Sequence, residues 1–507
     1  MTGPVLSHNV AERLGDTRLV VVANREPYIH VKDVRTPSLV GRLVGRKPRT
    51  QMRWMQPASG LVTALDPVMR ASGGTWVAHG SGSGDRETAD SRGRVAVPPD
   101  DPAYTLRRVW LTQREEEGYY YGLANGALWP LCHIAYARPV FDELDWREYV
   151  EVIRRFADTV LDEIINTKAI VFVQDYHFAL LPRMIKEIRP DVVVCQFWHI
   201  PWPNPEAFRI CPWKEQILDG LLGNDLMAFH IQFHCNNFIE TVDRELEARV
   251  DREHFAVHRR GHRTFVKPYP ISIDPDLWQT VAPGPDWDRD VAATRKRLRI
   301  GNARLIMGVD RLDYTKGIPE RLMAFERLLD RHPEWRERVV FLQIGAPTRD
   351  HLGQYQAFSA EVRTQVQRIN RRFGNKHWMP VVYRRQHVSP EEIGAFYRAS
   401  DLCVVSSLHD GMNLVAKEFV AARSDEGGVL LLSEFTGAAR ALADVVPVNP
   451  FAPDEFAEAM HEGLSMSRSE QQRRMQNLRA EVLSHTVFDW AGNLLSEAIR
   501  LAHVSSR

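Results

Sequence analysis

The 507-residue chain has few cysteines, no excess of one charge and no long apolar stretch, and each absence excludes a class of protein. Its five cysteines are scattered and form no Cys-x-x-Cys pair, which disfavours a disulfide framework or a zinc site and favours thiols in a reducing cytoplasm. The 65 Lys and Arg balance the 65 Asp and Glu, so a general nucleic-acid surface is not expected. No apolar run could span a bilayer, and residues 1–16 lack a signal-peptide core.

The chain is too long for one hydrophobic core, and its pattern predicts two domains. Short apolar runs alternate with helical patterns in both halves, which is typical of parallel sheets covered by helices. Residues 278–296 are rich in Pro, Asp and Arg and indicate a boundary. We therefore expect an α/β protein with two doubly wound domains, residues 1–280 and 281–485, that face each other across a cleft.

A glycine-containing turn at residues 409–413 connects an apolar run to a helical run that begins at Leu414. The apolar run has the length of a buried parallel strand, and Asn413 is a suitable N-cap. A helix N-terminus at a strand end presents N–H groups and a positive dipole end, which favour a phosphate or diphosphate. Asp410 and Glu418 flank this seat, and we expect them to accept hydrogen bonds from sugar or ribose hydroxyls. The alternative is an ordinary strand-to-helix turn.

Cations and polar side chains follow other strand ends in both halves. They are Arg311, Lys316 and Arg349 in the second half and Arg25, Tyr120, Asp175 and His199 in the first. Because ligands gather at the carboxyl ends of strands in open α/β sheets, their joint placement predicts transfer between two phosphorylated ligands. Arg311 and Lys316 would neutralise a leaving diphosphate, and Arg25 and Arg349 would hold a phosphate monoester. Taken singly, each arginine is better explained by a surface ion pair.

Four other segments carry weaker signals. Residues 29–56 read as a long loop with seven Lys or Arg and one acid, either a basic flap over an anion or a solvated insertion. The glycines of residues 79–84 resemble part of a dinucleotide fingerprint, but no helix is predicted after Gly84. The aromatic residues of 117–130 fit a packed core or a sugar-stacking wall. His230 and His234 have no evident third ligand, so no metal site is expected.

Four motifs are long enough to identify a family. They read Arg-Leu-Asp-Tyr-Thr-Lys-Gly at 311–317, Asp-Gly-Met-Asn-Leu-Val-Ala-Lys-Glu at 410–418, Gln-Asp-Tyr-His at 174–177 and His-Ile-Pro at 199–201. Together with residues 433–439 they resemble the trehalose-6-phosphate synthase family, from about Leu19 to Trp490. The resemblance implies a GT-B fold of two Rossmann-like domains, with residues 486–507 as a helix packing back on the first. It implies retaining glucose transfer from UDP-glucose or GDP-glucose to glucose 6-phosphate, without cofactor or metal.

The resemblance also implies a role for each matching residue. Catalytic roles fall on Asp175, His199, Arg311, Lys316 and Asp410. Donor-binding roles fall on Gly60, Arg311, Lys316, Asp410, Met412, Asn413, Leu414, Val415 and Glu418, with Gly60 in a loop that closes over the donor. Acceptor-binding roles fall on Arg25, His79, Tyr120, Trp129, Asp175 and Arg349. The expected partners are a nucleotide-sugar donor and a sugar-phosphate acceptor, with neither nucleic acid nor membrane, in a dimer or tetramer.

The chain departs from the family pattern on the acceptor side. Ser59 replaces the first glycine of a Gly-Gly-Leu loop, His79 replaces a tryptophan, and His409 replaces an arginine. These changes leave a glucosylglycerol-phosphate synthase or a cyclitol pseudo-glycosyltransferase as the alternative. A catalytically silent sugar-phosphate sensor would lose donor residues, and the sequence retains them all.

Overall fold

The computed structural model describes residues 12–35, 49–57 and 60–505, which divide into two compact units. Unit 1 comprises Met1–Cys132, Pro139–Tyr269 and Val487–Arg507, and unit 2 comprises His133–Arg138 and Pro270–Thr486. The chain therefore passes from one unit to the other near residue 270. Within the described residues, no helix combines the length and apolarity needed to cross a bilayer.

Unit 1 is built on a ten-stranded sheet with the strand order β10-β11-β12-β9-β8-β7-β1-β4-β6-β5. Its strands are β1 (Arg18–Val22), β4 (Thr75–His79), β5 (Arg94–Val97), β6 (Tyr104–Val109), β7 (Ala169–Gln174), β8 (Val193–Phe197), β9 (Leu226–Phe229), β10 (Arg249–Asp251), β11 (Ala256–Arg259) and β12 (His262–Pro268). The strands from β12 to β6 are parallel, and both edges are antiparallel. The central strands are buried along their length, as parallel strands covered on both faces must be.

A separate two-stranded antiparallel ribbon, β2 (Ile29–Arg35) and β3 (Arg49–Met55), accompanies this sheet. The helices of unit 1 up to residue 245 are α1 (Gly60–Ser72), α2 (Asp85–Thr88), α3 (Gln113–Glu116), α4 (Trp129–His133), α5 (Glu143–Glu163), α6 (Leu181–Ile188), α7 (Pro205–Phe208), α8 (Lys214–Leu221) and α9 (Gln232–Glu245). A π-helix, Glu117–Leu128, connects α3 to α4.

Unit 2 contains a six-stranded, fully parallel sheet. Its strands are β13 (Arg304–Arg311), β14 (Val339–Ala346), β15 (Val381–Arg384), β16 (Leu402–Val405), β17 (Val429–Ser433) and β18 (Val446–Val448). Its helices are α10 (Pro285–Leu298), α11 (Ile318–Arg331), α12 (Gly353–Phe373), α13 (Pro390–Ala399), α14 (Leu414–Ala422), α15 (Pro453–Ser465) and α16 (Arg468–Ser484). The order β15-β14-β13-β16-β17-β18 is the 3-2-1-4-5-6 order of a Rossmann sheet, with its switch point between β13 and β16.

The last helix, α17 (Val487–Ser505), belongs to unit 1. Trp490 lies edge-on to Phe197 of β8, with ring centroids 5.0 Å apart. Lys267 Nζ at the end of β12 lies 2.6 Å from Glu497 Oε1. Apolar burial and one ion pair therefore attach the final helix to the sheet of unit 1.

Two sequence expectations are wrong. Residues 29–56 are not one long loop, because residues 29–35 (β2) pair with residues 49–55 (β3). Three of the basic residues counted there, Arg42, Arg46 and Lys47, lie outside the described residues, and so does Ser59. A helix does begin after Gly84, although α2 is only four residues long and leads to the antiparallel strand β5. The glycine-rich segment is thus not the opening of a βαβ unit.

Candidate functional site

The N-terminus of α14 lies at the switch point of unit 2, where β16 ends. Asn413 precedes the helix with φ +82°, and its side chain accepts a hydrogen bond from the N–H of Ala416 at 3.3 Å. The N–H groups of Leu414 and Val415 belong to the first turn, which has no intrahelical acceptor for them. Met412, just before the cap, is buried. This geometry fits an anionic ligand at the predicted seat.

Asp410 and Lys316 form an ion pair at this helix end. Lys316 Nζ lies 2.6 Å from Asp410 Oδ2, which also accepts hydrogen bonds from Ser407 Oγ at 3.1 Å and Asn413 Nδ2 at 3.2 Å. Burial acts to raise the pKa of Asp410, but Lys316 and the hydrogen bonds outweigh it and hold that pKa well below its usual range. Asp410 is therefore a carboxylate that positions the ammonium group.

The buried side chain of Arg321 holds the segment that carries Lys316 in place through hydrogen bonds. Arg321 donates to Asp310 Oδ2 at 2.6 Å, to the carbonyl of Lys316 at 2.8 Å and to Ser406 Oγ at 2.8 Å. Gly317 has φ +61°, and a Cβ there would collide with the carbonyl oxygen of Ser406. Arg311, the last residue of β13, is exposed at the same sheet edge. The two predicted diphosphate-binding cations thus lie at the end of one strand and in the segment that follows it.

Glu418 lies in the second turn of α14, where Tyr397 of α13 donates a hydrogen bond to its Oε2 at 3.1 Å. Burial raises the pKa of Glu418 to about 7, against the opposing effect of that hydrogen bond. Glu418 is therefore a carboxylate whose charge changes near neutrality, and it retains acceptor sites for ribose hydroxyls.

Arg349 of unit 2 is held by two side chains in the structure. Its Nη1 lies 3.3 Å from Asp313 Oδ2 and 2.5 Å from Tyr355 Oη, and only 6% of its side chain is exposed. Burial acts to raise the pKa of Asp313, but Arg349 and the nearby Arg311 and Lys316 lower it overall. The simple surface ion pair considered for Arg349 is thus excluded, because its partner carboxylate is fully buried.

Three of the predicted acceptor residues line one cavity of about 220 Å³ in unit 1. Arg25 follows β1, His79 ends β4, and Tyr120 lies on the π-helix. His79 Nδ1 is 3.2 Å from the carbonyl oxygen of Val109, and the Tyr120 ring stacks on His177 with 5.5 Å between centroids. The other lining residues are Asn24, Glu26, Ile29, Pro57, Ser81, Glu116 and Tyr119. A cation, an imidazole and a phenol thus line the same cavity as the carboxylic side chains of Glu26 and Glu116.

Asp175 and His199 follow neighbouring strands β7 and β8. Asp175 has φ +71°, and its Oδ1 accepts hydrogen bonds from the N–H groups of Tyr176 at 2.9 Å and His199 at 3.2 Å. His199 Nε2 lies 3.1 Å from Gln174 Oε1. Burial lowers the pKa of His199 to about 3, so its imidazole is neutral at physiological pH. The indole ring of Trp129 lies 5.9 Å from the ring of Tyr176.

The contact made by His409 and the helical position of Gly60 were not predicted from the sequence. His409 Nδ1 is 3.0 Å from the carbonyl oxygen of His133, and burial lowers its pKa. Gly60 is the first residue of α1 rather than part of a loop.

Sequence reasoning missed Asp313, Tyr397 and Glu26. Asp313 lies inside the 311–317 motif and was within reach, whereas the positions of Tyr397 and Glu26 depend on tertiary contacts.

Comparisons with known proteins identify the family and the fold. The sequence profile of glycosyltransferase family 20 matches residues 17–500. The trehalose-6-phosphate synthase of Mycobacterium leprae is 37% identical over 495 residues, covering 96% of this chain and 95% of that protein. A structure from E. coli described as bound with UDP-2-fluoro glucose has a TM-score of 0.82 and 28% identity, covering 96% of this chain and 99% of that one. The structure of an α,α-trehalose-phosphate synthase from Burkholderia xenovorans in complex with glucose-6-phosphate has a TM-score of 0.80 and 28% identity. The match covers 95% of this chain and 100% of that one.

Proposed function

Because this chain belongs to glycosyltransferase family 20, we propose that it transfers glucose from a nucleotide sugar to glucose 6-phosphate and so forms α,α-trehalose 6-phosphate. The chain is a glycosyltransferase with a GT-B fold. The observation that carries the proposal is the Lys316–Asp410 pair, held at the N-terminus of α14. A fixed ammonium group beside a helix N-terminus is suited to a departing diphosphate.

The donor would bind to unit 2. Its diphosphate would take Lys316, Arg311 and the first-turn N–H groups of Leu414 and Val415, with Met412 and Asn413 shaping the turn. Its ribose would donate hydroxyl hydrogen bonds to Glu418, and its glucose would bind near Asp410. The relative whose printed description includes UDP-2-fluoro glucose supports UDP-glucose as the first donor to test.

The acceptor would bind to the cavity of unit 1. Its phosphate would bind Arg25 and Tyr120, which line that cavity, and its hydroxyls would bind Asp175, with Trp129 beside the sugar. The acceptor-binding role that the family resemblance implies for Arg349 is a separate proposal. Retention requires no enzyme nucleophile here. The acceptor hydroxyl attacks the anomeric carbon on the face that the diphosphate leaves, the C–O bond to the diphosphate breaks, and a diphosphate oxygen takes the hydroxyl proton. Catalysis then comes from positioning and charge stabilisation.

A second candidate is the same transfer to another acceptor. It is favoured by the cavity's composition, because His79 and the two carboxylic side chains Glu26 and Glu116 accompany Arg25. Such a lining offers more hydrogen-bonding groups than a wall with tryptophan would. A glycerol phosphate or a cyclitol phosphate is therefore the alternative acceptor.

The test is a nucleotide-release assay with the purified full chain. UDP-glucose and GDP-glucose are each offered with glucose 6-phosphate, glycerol 3-phosphate or no acceptor, and the product is identified by proton NMR. Release that depends on glucose 6-phosphate, with a non-reducing α,α-linked product, is the expected result. Turnover with glycerol 3-phosphate alone would reject the acceptor and retain the reaction class. We also propose that the protein is located in the cytoplasm, which subcellular fractionation would test. Assembly into a dimer or tetramer is a further proposal, which light scattering would test.

A further inference from the structure

Four ionisable side chains form a buried cluster beside Arg25 in unit 1. The two carboxylic side chains, Glu26 and Asp85, are 1% and 0% exposed, Arg108 is 2% exposed and His30 is 6% exposed. Arg108 Nε lies 2.7 Å from Glu26 Oε2, and its Nη2 lies 2.9 Å from Asp85 Oδ1 and 2.8 Å from His30 Nδ1. Glu26 also lines the cavity that contains Arg25, so the cluster forms part of that cavity's wall.

The glycine-rich segment after β4 builds this cluster. Asp85 accepts the N–H groups of His30 at 2.8 Å and Gly82 at 2.5 Å, and Gly84 donates to the carbonyl of His30 at 2.9 Å. A Cβ on Gly82 would collide with that same carbonyl oxygen. The segment that resembled a dinucleotide fingerprint therefore serves to pack Asp85 against β2.

The charges of the cluster do not balance. Two ionised carboxylates facing one guanidinium leave one excess negative charge in a buried position, which is costly unless a proton neutralises it. Burial raises the pKa of Glu26 to about 8, and its hydrogen bond with Asp85 acts in the same direction. Burial and Arg108 together lower the pKa of His30. The neutralising proton therefore belongs on Glu26 rather than on His30.

We propose that Glu26 is a specificity residue of the acceptor cavity: the acceptor phosphate binds the form in which Glu26 carries a proton, so binding is accompanied by proton uptake wherever the ligand-free carboxyl group is ionised. This rests on the proposed function, because it takes the cavity at Arg25 as the phosphate site. A phosphate dianion and an ionised Glu26 would repel each other in one small cavity. A buffer acid gives its proton to a carboxylate oxygen of Glu26, so that its own bond to hydrogen breaks, an O–H bond forms on Glu26, and the repulsion ends. Binding of a dianionic phosphate is therefore coupled to protonation of Glu26, whereas binding of a neutral sugar is not.

The groups that face Glu26 determine the pH range of this effect. From the cluster and the cavity they are Asp85, Arg108, His30, Ser81, Arg25, His79, Glu116, Tyr119 and Tyr120. In the ligand-free chain Glu26 has a pKa of about 8, so its ionised fraction increases as the pH rises through that value. Since binding requires the protonated form, acceptor affinity falls as the pH rises. The dissociation constant should weaken about tenfold between pH 7 and pH 9.

Isothermal titration calorimetry of the full chain tests the proposal. Glucose 6-phosphate, and separately orthophosphate, is titrated at pH 9 in buffers that differ in ionisation enthalpy, so that the heat reports the protons taken up. The second pKa of a phosphate monoester is about 6, so glucose 6-phosphate is a dianion at this pH, and orthophosphate has likewise lost its second proton. The expected uptake approaches one proton per bound ligand. An uptake of zero in the wild-type chain would overturn the proposal without need of any variant.

Two matched variants locate the proton. Glu26→Gln keeps an acceptor for Ser81 and removes the titration, so proton uptake and the tenfold pH dependence should both disappear. Glu116→Gln removes a different carboxyl group from the same cavity and should retain both. Equal uptake in Glu26→Gln and wild type would overturn the assignment to Glu26. Binding of orthophosphate with proton uptake, without turnover of glucose 6-phosphate, would reject the proposed acceptor and uphold the role of Glu26. If neither anion binds, the cavity is not a phosphate site and the proposal is overturned.

Discussion

Lys316 Nζ and Asp410 Oδ2 are 2.6 Å apart although 94 residues separate them in the chain. The two come from the ends of β13 and β16, the strands on either side of the switch point of unit 2. Asp410 also accepts hydrogen bonds from Ser407 and Asn413, so its orientation does not depend on Lys316 alone. The ammonium group is thus preorganised, and a diphosphate meets a cation that is already in place.

Replacement of that cation should separate its catalytic role from its structural one. We expect Lys316→Met to lower kcat by about 10²–10³, the usual effect of removing one group that stabilises developing charge. It should also lower the melting temperature, because Asp410 loses its counter-ion. The double variant Lys316→Met/Asp410→Asn should recover stability but not activity. Recovery of activity together with stability, measured by nucleotide release and thermal unfolding, would contradict the assignment.

Donor affinity should depend on the ionisation of Glu418. Burial raises the pKa of Glu418 to about 7, and only the carboxylate offers every acceptor site to a ribose. The donor dissociation constant should therefore weaken about tenfold from pH 8 to pH 6 as Glu418 takes up a proton. Binding of UDP to the wild-type chain, measured by calorimetry over this range, provides the comparison.

Two variants check that Glu418 is the titrating group. Glu418→Gln should bind weakly at every pH and lose the dependence. Tyr397→Phe removes the hydrogen bond that lowers the pKa of Glu418, so the midpoint should move to higher pH. An unchanged pH profile in Glu418→Gln would assign the dependence to another group.

Arg349 should stabilise unit 2 in addition to its proposed role in acceptor binding. Its partner Asp313 is fully buried, so Arg349→Met leaves a carboxylate without its cation, at a cost of about 3–5 kcal/mol at pH 7. The folded-state pKa of Asp313 is lowered, so its contribution is present above its unfolded pKa, near 4, and is lost as the pH falls further. The stability difference from wild type should therefore narrow in acid.

Matched variants distinguish the two roles of Arg349. Arg385→Met breaks an ion pair with Asp350 in which both side chains are more than 40% exposed, and should cost less than about 1 kcal/mol. Tyr355→Phe keeps Arg349 beside Asp313 and should raise the KM for the acceptor less than Arg349→Met does. Urea unfolding and acceptor kinetics measure the two effects. An equal loss of stability in Arg349→Met and Arg385→Met would show that the buried pair contributes little.

The proposed donor site could be predicted from the sequence because its signals are local. The apolar run ending at Val405, the glycine turn and the Asn413 cap are contiguous, and each follows from short-range rules of strand and helix formation. The switch point follows from strand order, which the alternation of strands and helices constrains. The trehalose-6-phosphate synthase resemblance, predicted from the same motifs, is confirmed by the family match and the relatives.

The features that escaped prediction depend on long-range contacts. Glu26 and Arg108 are 82 residues apart, and only the packing of the glycine-rich segment on β2 brings Asp85 to them. Strands β2 and β3 read as a loop because they lack apolar alternation and carry many basic residues. The His30 backbone of β2 is also held from outside the ribbon, since its N–H donates to the Asp85 carboxylate and its carbonyl oxygen accepts from the N–H of Gly84. No local pattern reports such contacts.

His199 should act as a neutral hydrogen-bonding group rather than as a proton carrier. Burial lowers its pKa to about 3, so it remains neutral from pH 5 to pH 9. The variant His199→Asn should lower kcat by about 10²-fold through loss of a preorganised polar contact. The shape of its kcat-against-pH profile between pH 5 and pH 9 should match that of wild type, because the removed ring does not titrate there. A wild-type limb near pH 6 that disappears in His199→Asn would mean that the imidazole is charged in the enzyme–substrate complex. That result would make His199 an acid or base in the transfer, and the mechanism without an enzyme proton carrier would have to be abandoned.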